Sequence, residues 1–286
     1  MKQLLQPLKY AYLLAVTLVS IISVQALAQE KTTPEPNWTY PINVSLLSDN
    51  IFRGQSQTWG KPALQFSAEA DHKGGFYAGF FASNVSDNWI PGATVETDYY
   101  TGYRGKASGI TIDVGAIYYV YPGSNWDKSG FVGANNANKV DTLEAYLGLT
   151  YQWLNFKLGS TQTEYFGWNT NNSPVNGGFA GDAMAGVTGS TKGSHFYELN
   201  ANYEVAANWS LIGQAGRQVI SNSIGLDINY YKLGVTKTLD ADWSTTVAYS
   251  TTNKPAAYMG FPSLRNNGLV SDIAKDTLFI SVTKSF

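Results

Sequence analysis

Few side chains in this sequence could do covalent or metal chemistry. There is no cysteine and there are two histidines, His72 and His195. Without cysteine there is no disulfide, no thiolate nucleophile and no thiolate metal site. A histidine could serve as a general base. His195, however, is followed by Phe196 and Tyr197, and the glycine-framed His-x-Ser context of a serine–histidine lipid hydrolase is missing. His72 falls in a short polar turn. Glu96 and Asp98 are two apart, so on a strand they share one face, about 7 Å apart. That spacing could serve a carboxylate protease, but no histidine stands near it. Asp182 and the asparagines of 169–176 offer oxygen ligands without the spacing of a calcium loop. The expectation is no catalytic residue, no metal and no cofactor.

What remains is a set of charges sorted by parity. Leu278, Ile280, Val282 and Phe286 share one parity at the end of the chain, and Thr277, Ser281, Thr283 and Ser285 share the other, broken only by Phe279. Alternation with period two is the mark of a strand with one apolar and one polar face. The same pattern recurs upstream. Leu64, Phe66, Ala68 and Ala70 alternate with Gln65, Ser67, Glu69 and Asp71, and Ile110, Ile112, Val114, Ala116, Tyr118 and Val120 form an unbroken apolar face. Twelve such segments can be counted, the first spanning about 40–54 and the last 276–286. Most are near the roughly 9–11 residues that cross a bilayer at a tilt.

Loop length sorts by parity too. Connections after even-numbered strands are short, and those after strands 1, 3, 5, 7 and 11 are longer, up to the segment 166–193; the loop after strand 9, about 220–227, is shorter. A soluble sandwich has no reason for this, whereas short periplasmic turns and long external loops alternate in outer-membrane barrels. An apolar terminal strand would be an exposed edge in an open sheet; pairing it with the first strand removes the edge. The predicted fold is therefore all-β, a closed antiparallel transmembrane β-barrel of about 12 strands over residues 40–286. Trp153, Trp209 and Trp243 end short turns and are read as a periplasmic aromatic girdle. Phe286 is read as the closing signal for the barrel-assembly machinery.

Residues 1–28 read as a secretory signal peptide: Lys2 and Lys9 precede an apolar run from Ala11 to Val24, and Ala26-Leu27-Ala28 is a small-x-small site, with cleavage expected after Ala28. Residues 29–39 read as a flexible leader with Pro34 and Pro36. Tyr 19, Phe 13, Trp 8 and Gly 28, with a net charge of −2, suit a barrel in lipid and exclude a basic nucleic-acid face.

If the apolar parity faces lipid, Glu69, Glu96, Asp98, Arg104, Asp113, Glu144, Tyr146, Lys157, Glu198 and Glu204 line the interior, joined by Asp71, Arg53 and Lys232. Two pairings are expected to cancel part of the charge: Asp49 with Arg53, four apart on one strand face, and Arg104 with Glu96 and Asp98 on its own strand. An acidic excess then remains, with Glu144, Glu198 and Glu96 as the first choices for setting a cation preference.

The run Asn43–Gln65 (NVSLLSDNIFRGQSQTWGKPALQ) closely resembles the opening signature of the TorF family of porin-like proteins, catalogued also as the Gcw_chp family. DVGAIYYVYPGS (113–124), EAYLGLTY (144–151), YKLGVTKT (231–238) and the closing SVTKSF follow in the expected order. The resemblance spans essentially the whole chain after the signal peptide. It implies a bacterial outer-membrane barrel with pore activity, and it carries over no catalytic or ligand-binding residue. The expected function is passive diffusion of small polar solutes across the outer membrane of a Gram-negative bacterium, with lipid as the surrounding partner and no nucleic acid. A non-conducting structural or adhesive barrel is the alternative, and an outer-membrane enzyme comes third.

Overall fold

The computed structural model describes residues 36–130, 138–176, 179, 181–240, 242–265 and 267–286. The expected signal peptide with its cleavage point after Ala28, and residues 29–35 of the expected leader, lie outside this set. Alternation of apolar and polar residues produces twelve main strands. They are β1 (Ile42–Leu47), β2 (Ala63–His72), β3 (Phe76–Asn84), β4 (Val95–Ala107), β5 (Ile110–Val120) and β6 (Thr142–Tyr151), then β7 (Leu154–Thr161), β8 (His195–Ala206), β9 (Trp209–Val219), β10 (Ile228–Thr238), β11 (Trp243–Thr252) and β12 (Thr277–Ser285). Each pairs antiparallel with its chain neighbours.

β12 also pairs with β1, with Ser281 opposite Leu47 and Ser285 opposite Asn43. The sheet is thereby closed, and no main strand is left as an edge. Phe286 completes the seam through its backbone: its N–H donates to the Ile42 carbonyl at 2.9 Å and its carbonyl accepts from the Ile42 N–H at 3.4 Å. Upstream of β1, Trp38–Thr39 pair with His72 and Asp71 of β2. Pro41 interrupts this ladder because it has no N–H to give, but its carbonyl still accepts from the Glu69 N–H at 3.0 Å.

The burial pattern is inverted relative to a soluble sheet. Along β2, Gln65, Ser67 and Glu69 are buried, while Leu64 and Phe66 between them are 59% and 39% exposed. Val114, Leu199, Leu233 and Ile280 on other strands are likewise exposed. An apolar belt around a polar interior is stable only where lipid, not water, surrounds it. Trp153, Trp209 and Trp243 lie at the short-turn end and are exposed. The Lys237 ammonium sits 4.7 Å from the Trp209 ring, and Trp153 packs edge-on against Tyr203.

The first strand is shorter than its alternation suggests. The chain leaves the barrel wall after Leu47 and makes a small hairpin, Ile51–Phe52 against Gln55–Ser56. Arg53 and Gly54 both have positive φ, 46° and 80°, as a two-residue hairpin turn of the primed type requires. This hairpin points into the barrel. A Cβ on Gly54 would lie 2.5 Å from Cγ2 of Thr252 and 2.8 Å from Cβ of Tyr230, so only glycine lets the turn approach the wall so closely.

Candidate functional site

The interior is a stack of charged clusters. Nearest the short turns, Arg104 on β4 is held by three carboxylates from other strands. Its Nη1 donates to Oε1 of Glu69 at 2.5 Å and to Oδ1 of Asp71 at 2.8 Å, and its Nε lies 3.6 Å from Oδ2 of Asp113. The guanidinium also stacks on Tyr77, 3.7 Å from its centroid. Tyr77 donates to Asp113 at 2.6 Å and shares a 2.5 Å hydrogen bond with the Tyr146 hydroxyl. The expected pairing of Arg104 with Glu96 and Asp98 is thus not made. Arg104 is at the turn end of β4 and those carboxylates are at its loop end, so the sheet offers closer partners on β2 and β5.

Midway, Glu198 accepts from Asn200, Gln214 and Tyr230 at 3.0, 3.3 and 2.9 Å. Lys157 lies buried with its ammonium 3.9 Å from the Tyr146 ring. Glu204, on the same parity of β8, is exposed at the turn-end mouth.

Toward the long loops the inserted hairpin fills the barrel. Arg53 makes a bidentate pair with Glu144, at 2.8 and 3.0 Å, and donates to Gln218 Oε1 at 2.6 Å. It is sandwiched by aromatic rings, 3.7 Å from the centroid of Phe196 and 4.7 Å from that of Phe52. Both members of the ion pair are 3% exposed. The expected Asp49–Arg53 pairing is absent. The strand they were to share ends at Leu47, the positive-φ turn carries Arg53 inward, and Asp49 instead accepts from the hydroxyls of Ser56 and Thr58 at 2.7 Å each. Asn50, Gln57, Tyr121 and Glu96 continue the network: Gln57 donates to the Tyr121 hydroxyl at 3.3 Å, and Tyr121 donates to Glu96 at 2.6 Å. Glu96 Oε2 and both oxygens of Asp98 have no hydrogen-bond partner among the described residues, and Asp98 is fully buried.

Above this network lies a cavity of about 30 Å³, walled by Phe52, Trp89, Trp126, Tyr165, Phe166 and Trp168. The loop 162–194 contributes to the closure: Tyr165, Phe166 and Trp168 turn inward against Phe52 and Trp126, and Phe179 packs on Trp168 and Phe261. Glu164 fastens that loop to its other end. Its carboxylate accepts from Ser190 Oγ, the Thr191 hydroxyl and the Thr191 and Lys192 amides, at 2.5–3.1 Å. Partial burial opposes its charge, yet these four donors hold the carboxyl below the usual glutamate range.

Sequence parity does not reveal the inserted hairpin, Gln218 or the loop rings Trp89, Trp126, Phe166 and Trp168. One signal was present: Trp89, Trp126, Phe166 and Trp168 are bulky rings in loops that water alone would not favour.

A search of curated protein sequences found no match. Among solved structures, a chain from a study of in-meso crystallisation of membrane proteins is similar at a TM-score of 0.50, with 9% identity over 86% of this chain and 83% of that one. The KdgM porin aligns at 0.48, with 10% identity over 86% and 99%. An outer membrane channel from Pseudomonas putida F1 aligns at 0.42, with 11% identity over 90% and 100%. At such identities the likeness concerns the barrel fold. A family model described as a bacterial protein of unknown function matches residues 31–286, and the chain belongs to that family, Gcw_chp.

Proposed function

We propose that this protein is an outer-membrane channel of a Gram-negative bacterium, for passive movement of small polar solutes, that rests with its outer half closed by the first loop. The observation that carries this reading is the charge-lined interior of a closed barrel whose outer surface is apolar. A barrel that served only as a membrane scaffold would gain nothing from burying so many carboxylates and cations, because isosteric apolar packing is often at least as stable. The TorF resemblance and the porins among similar folds agree with it. The inserted hairpin, anchored through Arg53 to Glu144, is the gate in this reading.

The same hairpin favours the second reading, a non-conducting structural barrel, because it and the aromatic cluster fill the outer mouth. Planar-bilayer recording of the purified protein separates the two. A channel gives discrete conductance steps, larger or more frequent in Arg53→Ala. Absence of steps in both proteins would support the structural barrel.

A further inference from the structure

The cavity at the outer mouth has three properties that belong together. Its lining is mainly aromatic, seven aromatic side chains from four segments of the chain. Gln55 also lines it; this residue is 6% exposed, and its Oε1 has no hydrogen-bond partner among the described residues. A buried carbonyl without a donor costs free energy that a ligand N–H would recover. Third, the floor is acidic. Tyr121 and Gln57 line the cavity, and Tyr121 is hydrogen-bonded to Glu96, whose second oxygen, like both of Asp98, has no hydrogen-bond partner among the described residues. Arg53 is matched by the bidentate Glu144, so Glu96 and Asp98 are carboxyl groups left without a cation among the described residues.

Rings that attract a cation, an acceptor for an N–H and two carboxyl groups without a cation beneath them define one ligand class. We propose that this cavity is a binding site for a small primary ammonium ion. The aromatic rings hold the cation by their quadrupoles, Gln55 Oε1 accepts one N–H, and Glu96 and Asp98, ionising as the cation enters, provide the countercharge from below. Size narrows the class further. A cavity of about 30 Å³ admits only a small ligand, and methylammonium, with one carbon and one nitrogen, is the smallest primary alkylammonium ion. The site makes no demand on conduction, since it is complete in the closed barrel.

Three tryptophans in the wall, Trp89, Trp126 and Trp168, provide the readout. The protein purified from membranes in detergent is titrated with methylammonium chloride at constant ionic strength, following tryptophan fluorescence. A saturable change is expected, with none from sodium chloride or from methanol, the neutral isostere. Tetramethylammonium, which has no N–H and is too large, should bind at least about tenfold more weakly, a difference of one decade in affinity. Gln55→Leu and Glu96→Gln, each checked for folding by the gel shift between unheated and boiled samples, should weaken methylammonium to a similar degree. No saturable change with the unaltered protein, or equal responses to methylammonium, sodium and tetramethylammonium, would overturn the proposal. So would folded Gln55→Leu that binds as tightly as the parent. The ligand series alone decides the matter should a variant not fold. Because binding is read in micelles, its failure is distinct from a failure to conduct.

Discussion

Arg53 anchors the inserted hairpin to the barrel wall. Its guanidinium makes the bidentate contact with Glu144 in a site where both are 3% exposed. Removing one partner of such a pair leaves a buried charge uncompensated, which typically costs about 3–5 kcal/mol, whereas removing both can be nearly neutral. Arg53→Met should therefore lower stability in detergent by an amount in that range, measured by urea unfolding, and Arg53→Met with Glu144→Gln should recover most of it. Equal losses for the single and double variants would show that the pair is not the anchor. Glu164 acts in the other direction on pH. Its folded carboxyl lies below its usual value, so its contribution is complete above the unfolded pKa of about 4.3 and is lost as pH falls through the folded value. The Thr191 and Lys192 amide resonances should titrate together below the normal glutamate range, and Glu164→Gln should abolish that titration. Parity alone could place Glu144 inside. It could not reveal Arg53 as its partner, because the turn that carries Arg53 inward depends on two consecutive positive-φ residues and not on any periodic signal.

Among the elements, the strands were the most legible part of the chain, since period-two alternation fixes which face each residue takes. What alternation does not show is how the interior is packed. Inward glycines and inward aromatics are paired across neighbouring strands: Gly79 faces Tyr100, Gly102 faces Tyr77, Gly115 faces Tyr146 and Gly216 faces Tyr230. Each ring lies over the glycine opposite it, so a Cβ there would meet tyrosine side-chain atoms at 2.2–2.7 Å. The missing side chain makes room for a tyrosine whose hydroxyl then reaches a carboxylate, as Tyr230 reaches Glu198 and Tyr77 reaches Asp113. Both partners were visible in the sequence, but their pairing needs the register, which the turns set. Gly102→Ala is the sharpest test. Its Cβ would lie 2.3 Å from the Tyr77 hydroxyl and 2.5 Å from the Val114 carbonyl oxygen, and the backbone cannot swing aside as a side chain can. Overpacking of this kind costs about 1–3 kcal/mol. A lowered unfolding midpoint with the barrel still heat-modifiable is the expected result; an unchanged midpoint would mean that the tyrosine ladder tolerates displacement.

At the scale of the whole molecule the question is where the interior charge is left unbalanced. Counting by parity spreads an acidic excess over Glu144, Glu198 and Glu96. The structure distributes the cations unevenly along the barrel. Arg104 answers Glu69, Asp71 and Asp113, and Arg53 answers Glu144, while Glu198 sits among the hydrogen-bond donors Asn200, Gln214 and Tyr230. No cation is paired with Glu96 or Asp98 among the described residues, and these two lie just beneath the inserted hairpin, which in the proposed channel is the level a solute passes when the hairpin yields. Unmatched carboxylates at a constriction raise the local cation concentration and repel anions. In a wet path the effect is screened over roughly 8 Å at physiological salt, so the preference should be modest and fade as salt rises. The reversal potential of the conducting protein under a potassium chloride gradient should accordingly show cation preference. Glu96→Gln with Asp98→Asn should move it toward zero. Glu204→Gln, at the exposed turn-end mouth, should move it far less. An anion-selective parent protein, or a double variant with an unshifted potential, would remove Glu96 and Asp98 from the conducting path.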